Sequence, residues 1–193
     1  MRETPNASVR PPDPKARVVA ENKERVGLVL VHTGDGKGKS TSAFGLALRA
    51  VGHDLRVHIV QFIKGSRTYG ELRSLERLGV PVERAGEGFT WEVRSDERQR
   101  ELASWGMERA RAAVASGVDV LVLDEVNIAL GKGFFPIDEF LAFLAERPPG
   151  MHVVCTGRYA PEALLAAADL VTRHELVKHP YQRGIRAQPG VEF

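Results

Sequence analysis

Val26 to Val51 reads VGLVLVHTGDGKGKSTSAFGLALRAV, and this stretch decides the fold. Its first six residues, VGLVLV, are a nearly unbroken apolar run. A run without alternation fits a strand covered on both faces, as in a parallel sheet. A glycine-rich turn follows, and Ser40 to Val51 then has the spacing of a helix, closed by Gly52. Strand, tight turn and helix in direct succession open an α/β unit.

The pattern repeats outward from that unit. Arg56 to Phe62 reads as a second strand, and Tyr69 to Leu78 as a helix ended by Gly79 and Pro81. Gly86 to Trp91 reads as a loop. Ser95 is placed to cap a helix whose first turn holds Asp96 and Glu97, both favourable at a helix start. Ala103, Gly106, Met107, Ala110, Ala113 and Val114 keep one face of that helix. Val118 to Leu123 is a third buried strand, running into Asp124 and Glu125. A short helix over Ile137 to Ala145, a strand over Met151 to Cys155, a helix near Pro161 to Ala168 and a strand at Leu170 to Thr172 complete the series. The tail from Arg173 to Phe193 reads as irregular and polar. The expectation is an α/β, single-domain P-loop (RecA-like) fold with a mainly parallel sheet flanked by helices. In such sheets ligands sit beyond the C-terminal ends of the strands, where the unusual residues of this chain cluster.

The 193 residues suit one domain, and 43% hydrophobic with 27% charged residues excludes a wholly disordered chain. Lys and Arg number 27 against 25 Asp and Glu, a net +2, so nothing suggests a general nucleic-acid binder. No apolar run is long enough for a membrane span, and the first fourteen residues hold no stretch of signal-peptide length. The lone Cys155 excludes an internal disulfide. These features lead to an expectation of a cytoplasmic protein with no membrane partner. Pro5, Pro11, Pro12 and Pro14 predict a mobile start. Lys15 to Arg25 carries a thin helical stripe of Ala16, Val19 and Ala20. The expected division is a mobile segment over 1–25 and a domain over 26–193.

His32 to Thr41, HTGDGKGKST, sits between buried strand and helix, the context that a phosphate-binding loop requires. Glycines at 34, 36 and 38 let backbone approach an anion, and the free donors at the helix start face the same way. Lys39 brings a point charge, and Ser40 or Thr41 a hydroxyl for Mg²⁺. The standard pattern wants glycine at position 33, where this chain has Thr33. The carboxylates after the third strand are the matching signal for the metal, with Glu125 the first choice and Asp124 the alternative. A plain chain-reversing turn and a pair of solvated acids are the competing readings.

A phosphate loop names a nucleotide and leaves the reaction open. The NKxD guanine motif and the kinase signature segments are missing from the sequence. Cys155 reads as a small core residue, and His174 and His179 as solvated side chains. Lys178, Arg183 and Arg186 read as surface, with an anion site as the alternative. Phe89 and Trp91, in GEGFTWE, either anchor their loop to the core or line a site for a flat, largely apolar ligand.

Taken in order, TGDGKGKST, AFGLALRAVGH (Ala43–His53), VQFIKG (Val60–Gly65), GFTWE (Gly88–Glu92), VLDE (Val122–Glu125), TGR (Thr156–Arg158) and VKHPYQRGIRAQPGVEF at the end form a specific set. With these residues the chain resembles the corrinoid adenosyltransferases of the CobA/CobO/BtuR type, from about Gly27 to Phe193. It departs from the family loop at Asp35, where Asn is frequent, and at Ser40, where Thr is frequent. Asp35 puts a negative charge near phosphates, so a contact with Lys37 or the metal is expected to explain it.

The resemblance implies transfer of the 5′-deoxyadenosyl group of ATP to the cobalt of a reduced corrinoid, cob(I)alamin or cobyrinic acid diamide, with release of triphosphate. It also implies ATP bound in a flipped sense relative to ordinary P-loop enzymes. Carried over by position, Thr33, Gly34, Asp35, Gly36, Lys37, Gly38, Lys39, Ser40, Thr41 and Arg158 would bind the nucleotide. Ser40 and Glu125 would hold Mg²⁺. Lys39, Phe89 and Trp91 would be catalytic, the aromatics by packing near the corrin and keeping the lower ligand off cobalt. An electron donor such as a reduced flavoprotein, a homodimer and a corrinoid lid over Lys15 to Arg25 belong to the same implication. The alternatives are a P-loop kinase or ATPase, and a non-catalytic binder of corrinoid and ATP.

Overall fold

The computed structural model describes residues 26–63, 69–85 and 95–192. Strands and helices alternate as β1 (Val29–Thr33), α1 (Lys39–Val51), β2 (Val57–Gln61), α2 (Gly70–Arg77), β3 (Val82–Arg84), α3 (Asp96–Ala115) and β4 (Val120–Asp124). Then come α4 (Val126–Gly131), α5 (Ile137–Ala145), β5 (His152–Thr156), α6 (Glu162–Ala167) and β6 (Leu170–Arg173), with a 3₁₀ turn at Pro180–Arg183. The six strands form one sheet in the order β3-β2-β4-β5-β1-β6, and every pairing is parallel. The expected α/β architecture is therefore present, with the sheet parallel throughout.

The strands are apolar on both faces because both faces are covered. Val120 and Val122 pack with Ala43, Phe44 and Ala47 of α1 and Leu72 and Leu75 of α2. Leu121 and Leu123, one residue out of step, pack on the other side with Ala103, Met107 and Ala110 of α3 and Phe140 of α5. That period-two split is the geometry of a pleated strand between two layers. In α3, the stripe read from the sequence faces inward, and Gly106 lets Phe62 lie where a Cβ would come within 2.7 Å of its ring. The Ser95 side chain accepts from Arg98 N–H, so the expected cap is formed.

Several boundaries differ for stated reasons. β1 starts at Val29, three residues late, because β5 and β6 supply ladder partners only from Val29 and Leu30 onward. Ahead of it, His152 Nδ1 accepts from Leu28 N–H (3.1 Å) and Asp169 from Val29 N–H (2.7 Å), so side chains take over from the ladder. β4 runs on to Asp124, which pairs in register with Gln61. β3 and α4 were not foreseen. Three partly buried residues, VER, are too short and too polar to read as a strand. A six-residue helix is too short to show a period. The tail is not simply solvated: its 3₁₀ turn is capped by His179, whose ring accepts from Tyr181 N–H (3.1 Å).

Candidate active site

β1 hands the chain to the loop at Thr33, and the missing glycine there has a plain cause. Thr33 is still strand, 4% exposed and in register with Arg173 of β6, so its backbone needs no left-handed turn. The turn begins one residue later, at Gly34 (φ 96°). It ends at Gly38 (φ 102°), which starts α1 without a side-chain cap and with no acid in the first turn. A helix start left this way presents amide donors and the positive end of the dipole to an anion.

The glycines meet a neighbour that the sequence reading did not anticipate. A Cβ on Gly36 would come 2.5 Å from the carbonyl oxygen of Glu175, and one on Gly34 would collide with that of His174. Gly36 N–H donates to His174 O (2.8 Å). Gly34 and Gly36 are thus small because the tail backbone lies against them. The Gly36 amide, expected to face an anion, is committed to that tail. His174 is correspondingly no solvated histidine: its Nδ1 lies 3.2 Å from Lys37 O and its Nε2 3.4 Å from His32 Nδ1.

Three strand ends are tied together beside the loop. β5 lies between β1 and β4, so the ends of those two strands are about 10 Å apart, twice the strand spacing. Asp124 is fully buried and accepts from Gln61 Nε2 (2.8 Å) and from the Thr156 hydroxyl (2.7 Å). The same Thr156 oxygen accepts from Glu125 N–H (3.0 Å), on a residue held at φ 63°. Asn127 donates to His32 O (3.2 Å) and Gly157 O (3.1 Å), joining α4 to the ends of β1 and β5. Asp124 is held by these two hydrogen bonds at the end of β4. Glu125, half-buried, is the acid on the loop side and the main neighbour that favours the charge on Lys39.

The charges around the loop are matched internally. Lys39 is 9% exposed, and its ammonium donates to Gly36 O (2.5 Å). Burial chiefly pushes its pKa below the ordinary lysine value, Glu125 opposes this, Arg158 adds to it and Asp35 opposes it. Arg158 Nη2 donates to Asp35 O (3.3 Å), and its Nε lies 3.7 Å from the Asp35 carboxylate. Asp35 is therefore balanced by Arg158. Lys37, one of the two partners expected for it (the metal being the other), instead pairs with Glu192 (2.6 Å). A cleft of about 470 Å³ opens beside these groups, lined by Gly34, Asp35, Arg158, Arg173, His174 and Glu175 among others.

Ser40 and Thr41 lie in the first turn of α1, Ser40 half-buried and Thr41 exposed. Among the described residues no three His, Cys, Asp or Glu side chains gather to hold a metal. A hydroxyl and a carboxylate still suit Mg²⁺, which takes few protein oxygens and completes its shell with phosphate and water. Phe89, Trp91 and Lys15 to Arg25 lie outside the described residues. Cys155 is fully buried, and burial pushes its thiol up to about 12, as a core residue requires. Lys178, Arg183 and Arg186 are exposed.

Burial, and then the His174 ring, hold the His32 imidazole below its ordinary 6.5. The unfolded chain then binds the extra proton first, so the His32 contribution to stability is flat above pH 6.5 and is lost as the pH drops toward the folded value. The thermal midpoint of the wild-type chain is expected to drop more steeply below pH 6.5 than that of His32→Asn. Parallel pH profiles for the two would contradict this assignment.

An all-parallel α/β sheet whose first strand ends in a glycine loop, a buried lysine and an uncapped helix defines a P-loop nucleotide-binding protein. Its profile match is specific: the ATP:corrinoid adenosyltransferase family BtuR/CobO/CobP matches residues 25–193, and the chain belongs to that family. It is 45% identical over 181 residues to the corrinoid adenosyltransferase of Pseudomonas aeruginosa, covering 91% of this chain and 88% of the relative. To the corrinoid adenosyltransferase of a Sinorhizobium species it is 42% identical over 184 residues, covering 93% and 86%. To the corrinoid adenosyltransferase CobA of Salmonella typhimurium it is 38% identical over 176 residues, covering 91% and 90%. Among solved structures, the flagellar accessory protein FlaH of Methanocaldococcus jannaschii matches with a TM-score of 0.55 at 16% identity. That match covers 77% of this chain and 71% of FlaH, and concerns the fold alone. The chain is thus an ATP:corrinoid adenosyltransferase, with ATP and a corrinoid as substrates. Among the described residues no helix is long and apolar enough to cross a membrane.

Proposed function

We propose that the cobalt(I) centre of a reduced corrinoid attacks C5′ of ATP bound at the loop, and that triphosphate is the leaving group. The cobalt–carbon bond forms with the metal's electron pair, and the C5′–O bond breaks with its pair going to triphosphate. Cobalt rises formally from +1 to +3. The substrate brings the nucleophile, so the protein's part is to position, to balance charge and to exclude water. The observation that supports this reading is the buried Lys39 at the uncapped start of α1, ringed by Lys37, Arg158, Asp35 and Glu125.

In this reading the loop from Thr33 to Thr41 cradles the polyphosphate, Lys39 and Lys37 offset its charge, and Arg158 contacts the nucleotide. Ser40, with Thr41 as the neighbouring choice, and Glu125 hold Mg²⁺. That ion supplies charge neutralisation at the phosphates. Phe89 and Trp91 form the water-excluding wall at the corrin, and Lys15 to Arg25 the lid. The corrinoid is cob(I)alamin or cobyrinic acid diamide. Its reductant is of the flavoprotein class, and the enzyme works as a cytoplasmic homodimer.

Phosphorus NMR of the reaction with ATP and chemically reduced corrinoid is expected to show triphosphate as the phosphate product. ADP with inorganic phosphate as the main products would reject the mechanism. Phe89→Ala or Trp91→Ala is expected to lower turnover roughly tenfold, about 1.4 kcal/mol of barrier, with little change in ATP affinity. Full turnover in either folded variant would return that aromatic to a packing role.

A further inference from the structure

The last residues of the chain enter the loop's charge balance. Lys37 Nζ lies 2.6 Å from Glu192 Oε2, a contact made across 155 positions of sequence. The two partners are unequally placed: the Lys37 side chain is 64% exposed, that of Glu192 only 14%. Glu192 is held where it is. His179 Nε2 lies 3.9 Å from its other oxygen, and the Gly36–His174 hydrogen bond fastens the same tail to the same loop. The hydrogen bond from Lys37 keeps the carboxyl below the usual carboxylate range, so Glu192 is ionised at neutral pH. Lys37 is exposed enough to reach another partner, and Glu192 is the less exposed anion beside it.

We propose that Glu192 competes with the substrate's polyphosphate for Lys37 and so weakens the loop's hold on the triphosphate product. This inference rests on the polyphosphate reading of the loop given above. Triphosphate is the most highly charged species the site must release, and a loop lysine with no internal partner would retain it. A carboxylate waiting at 2.6 Å takes the ammonium back as the product leaves. Glu192 is also an anion near the polyphosphate, within the distance over which charges act at ordinary ionic strength. Both effects have the same sign. Because Lys37 is largely in water, the effect is moderate, roughly three- to tenfold in affinity.

The test is calorimetric titration of the full chain with inorganic tripolyphosphate, for the wild type, Glu192→Gln, Lys37→Ala and the double variant. Glu192→Gln is expected to bind tripolyphosphate roughly three- to tenfold more tightly, and Lys37→Ala more weakly. In the Lys37→Ala background most of the gain from Glu192→Gln should vanish, because the two residues are coupled. Glu192→Asp, which keeps the charge but withdraws it from Lys37, should fall between wild type and Glu192→Gln. It also serves if the amide variant loosens the tail. Unchanged or weaker binding by Glu192→Gln overturns the proposal, as does a gain that survives in full without Lys37. A wild-type chain that fails to bind tripolyphosphate overturns both this and the polyphosphate reading. Wild-type binding with no response to Glu192→Gln overturns the competition alone.

Discussion

Lys39→Ala is expected to lower kcat for adenosyl transfer by about 10²–10³-fold, or roughly 2.7–4 kcal/mol of barrier. The argument begins with burial. Lys39 is 9% exposed as a residue at the head of α1, where charge acts through less water than at the open surface. Negative charge grows on the departing triphosphate as the C5′–O bond opens, so a fixed cation helps the transition state more than bound ATP. The loss should therefore appear mainly in kcat and less in the KM for ATP. The fold should survive, since the ammonium's hydrogen bond is local, to Gly36 O three residues away. Removing a desolvated charge even relieves a cost. A folded variant with near-normal kcat would take Lys39 out of the mechanism.

The largest effect on stability is expected from Asp124→Ala. The carboxylate accepts from Gln61 Nε2 and from the Thr156 hydroxyl, and all three side chains are fully buried. Truncation leaves two buried donors without this acceptor, at about 1–3 kcal/mol each. A sum of roughly 2–6 kcal/mol is a large part of an ordinary domain's stability. At about 2–4 °C per kcal/mol for a chain of this size, the thermal midpoint should fall by about 10 °C. Asp124→Asn should cost less for a specific reason. Among the described residues Gln61 Oε1 has no hydrogen-bond partner, so the Gln61 amide can turn and accept from an asparagine's NH₂ group. Turnover should fall with Asp124→Ala too, because Thr156 also holds the backbone of Glu125. An unchanged midpoint for Asp124→Ala would show that this network carries little.

Features legible in the sequence were those with a local cause. The apolar runs became central strands, the Ser95 cap formed, and the face of α3 from Ala103 to Ala113 turned inward. The loop showed itself because glycines, lysine and hydroxyls fall within ten residues between a strand and a helix. The different settings of Asp124 and Glu125 needed the sheet: the first ends a strand in register with Gln61, the second begins α4 at a left-handed backbone. The tail was illegible for a physical reason. His174 and Glu192 reach Lys37 across 137 and 155 positions, and no period or motif links residues so far apart. The glycines at 34 and 36 looked like anion glycines because a close backbone approach leaves the same sign whichever neighbour makes it. Arg158 and Asp35 were both candidates, yet their pairing depends on β5 lying next to β1.

The central claim is that the loop offers ATP to cobalt so that carbon, and not phosphorus, is attacked. The most direct measurement is the visible spectrum of chemically reduced cobalamin incubated anaerobically with the protein, ATP and Mg²⁺, taken before and after illumination. The account predicts an alkylcobalt(III) spectrum that appears only with ATP and collapses on exposure to light. A spectrum that remains that of reduced or simply reoxidised cobalamin, and does not respond to light, would contradict it.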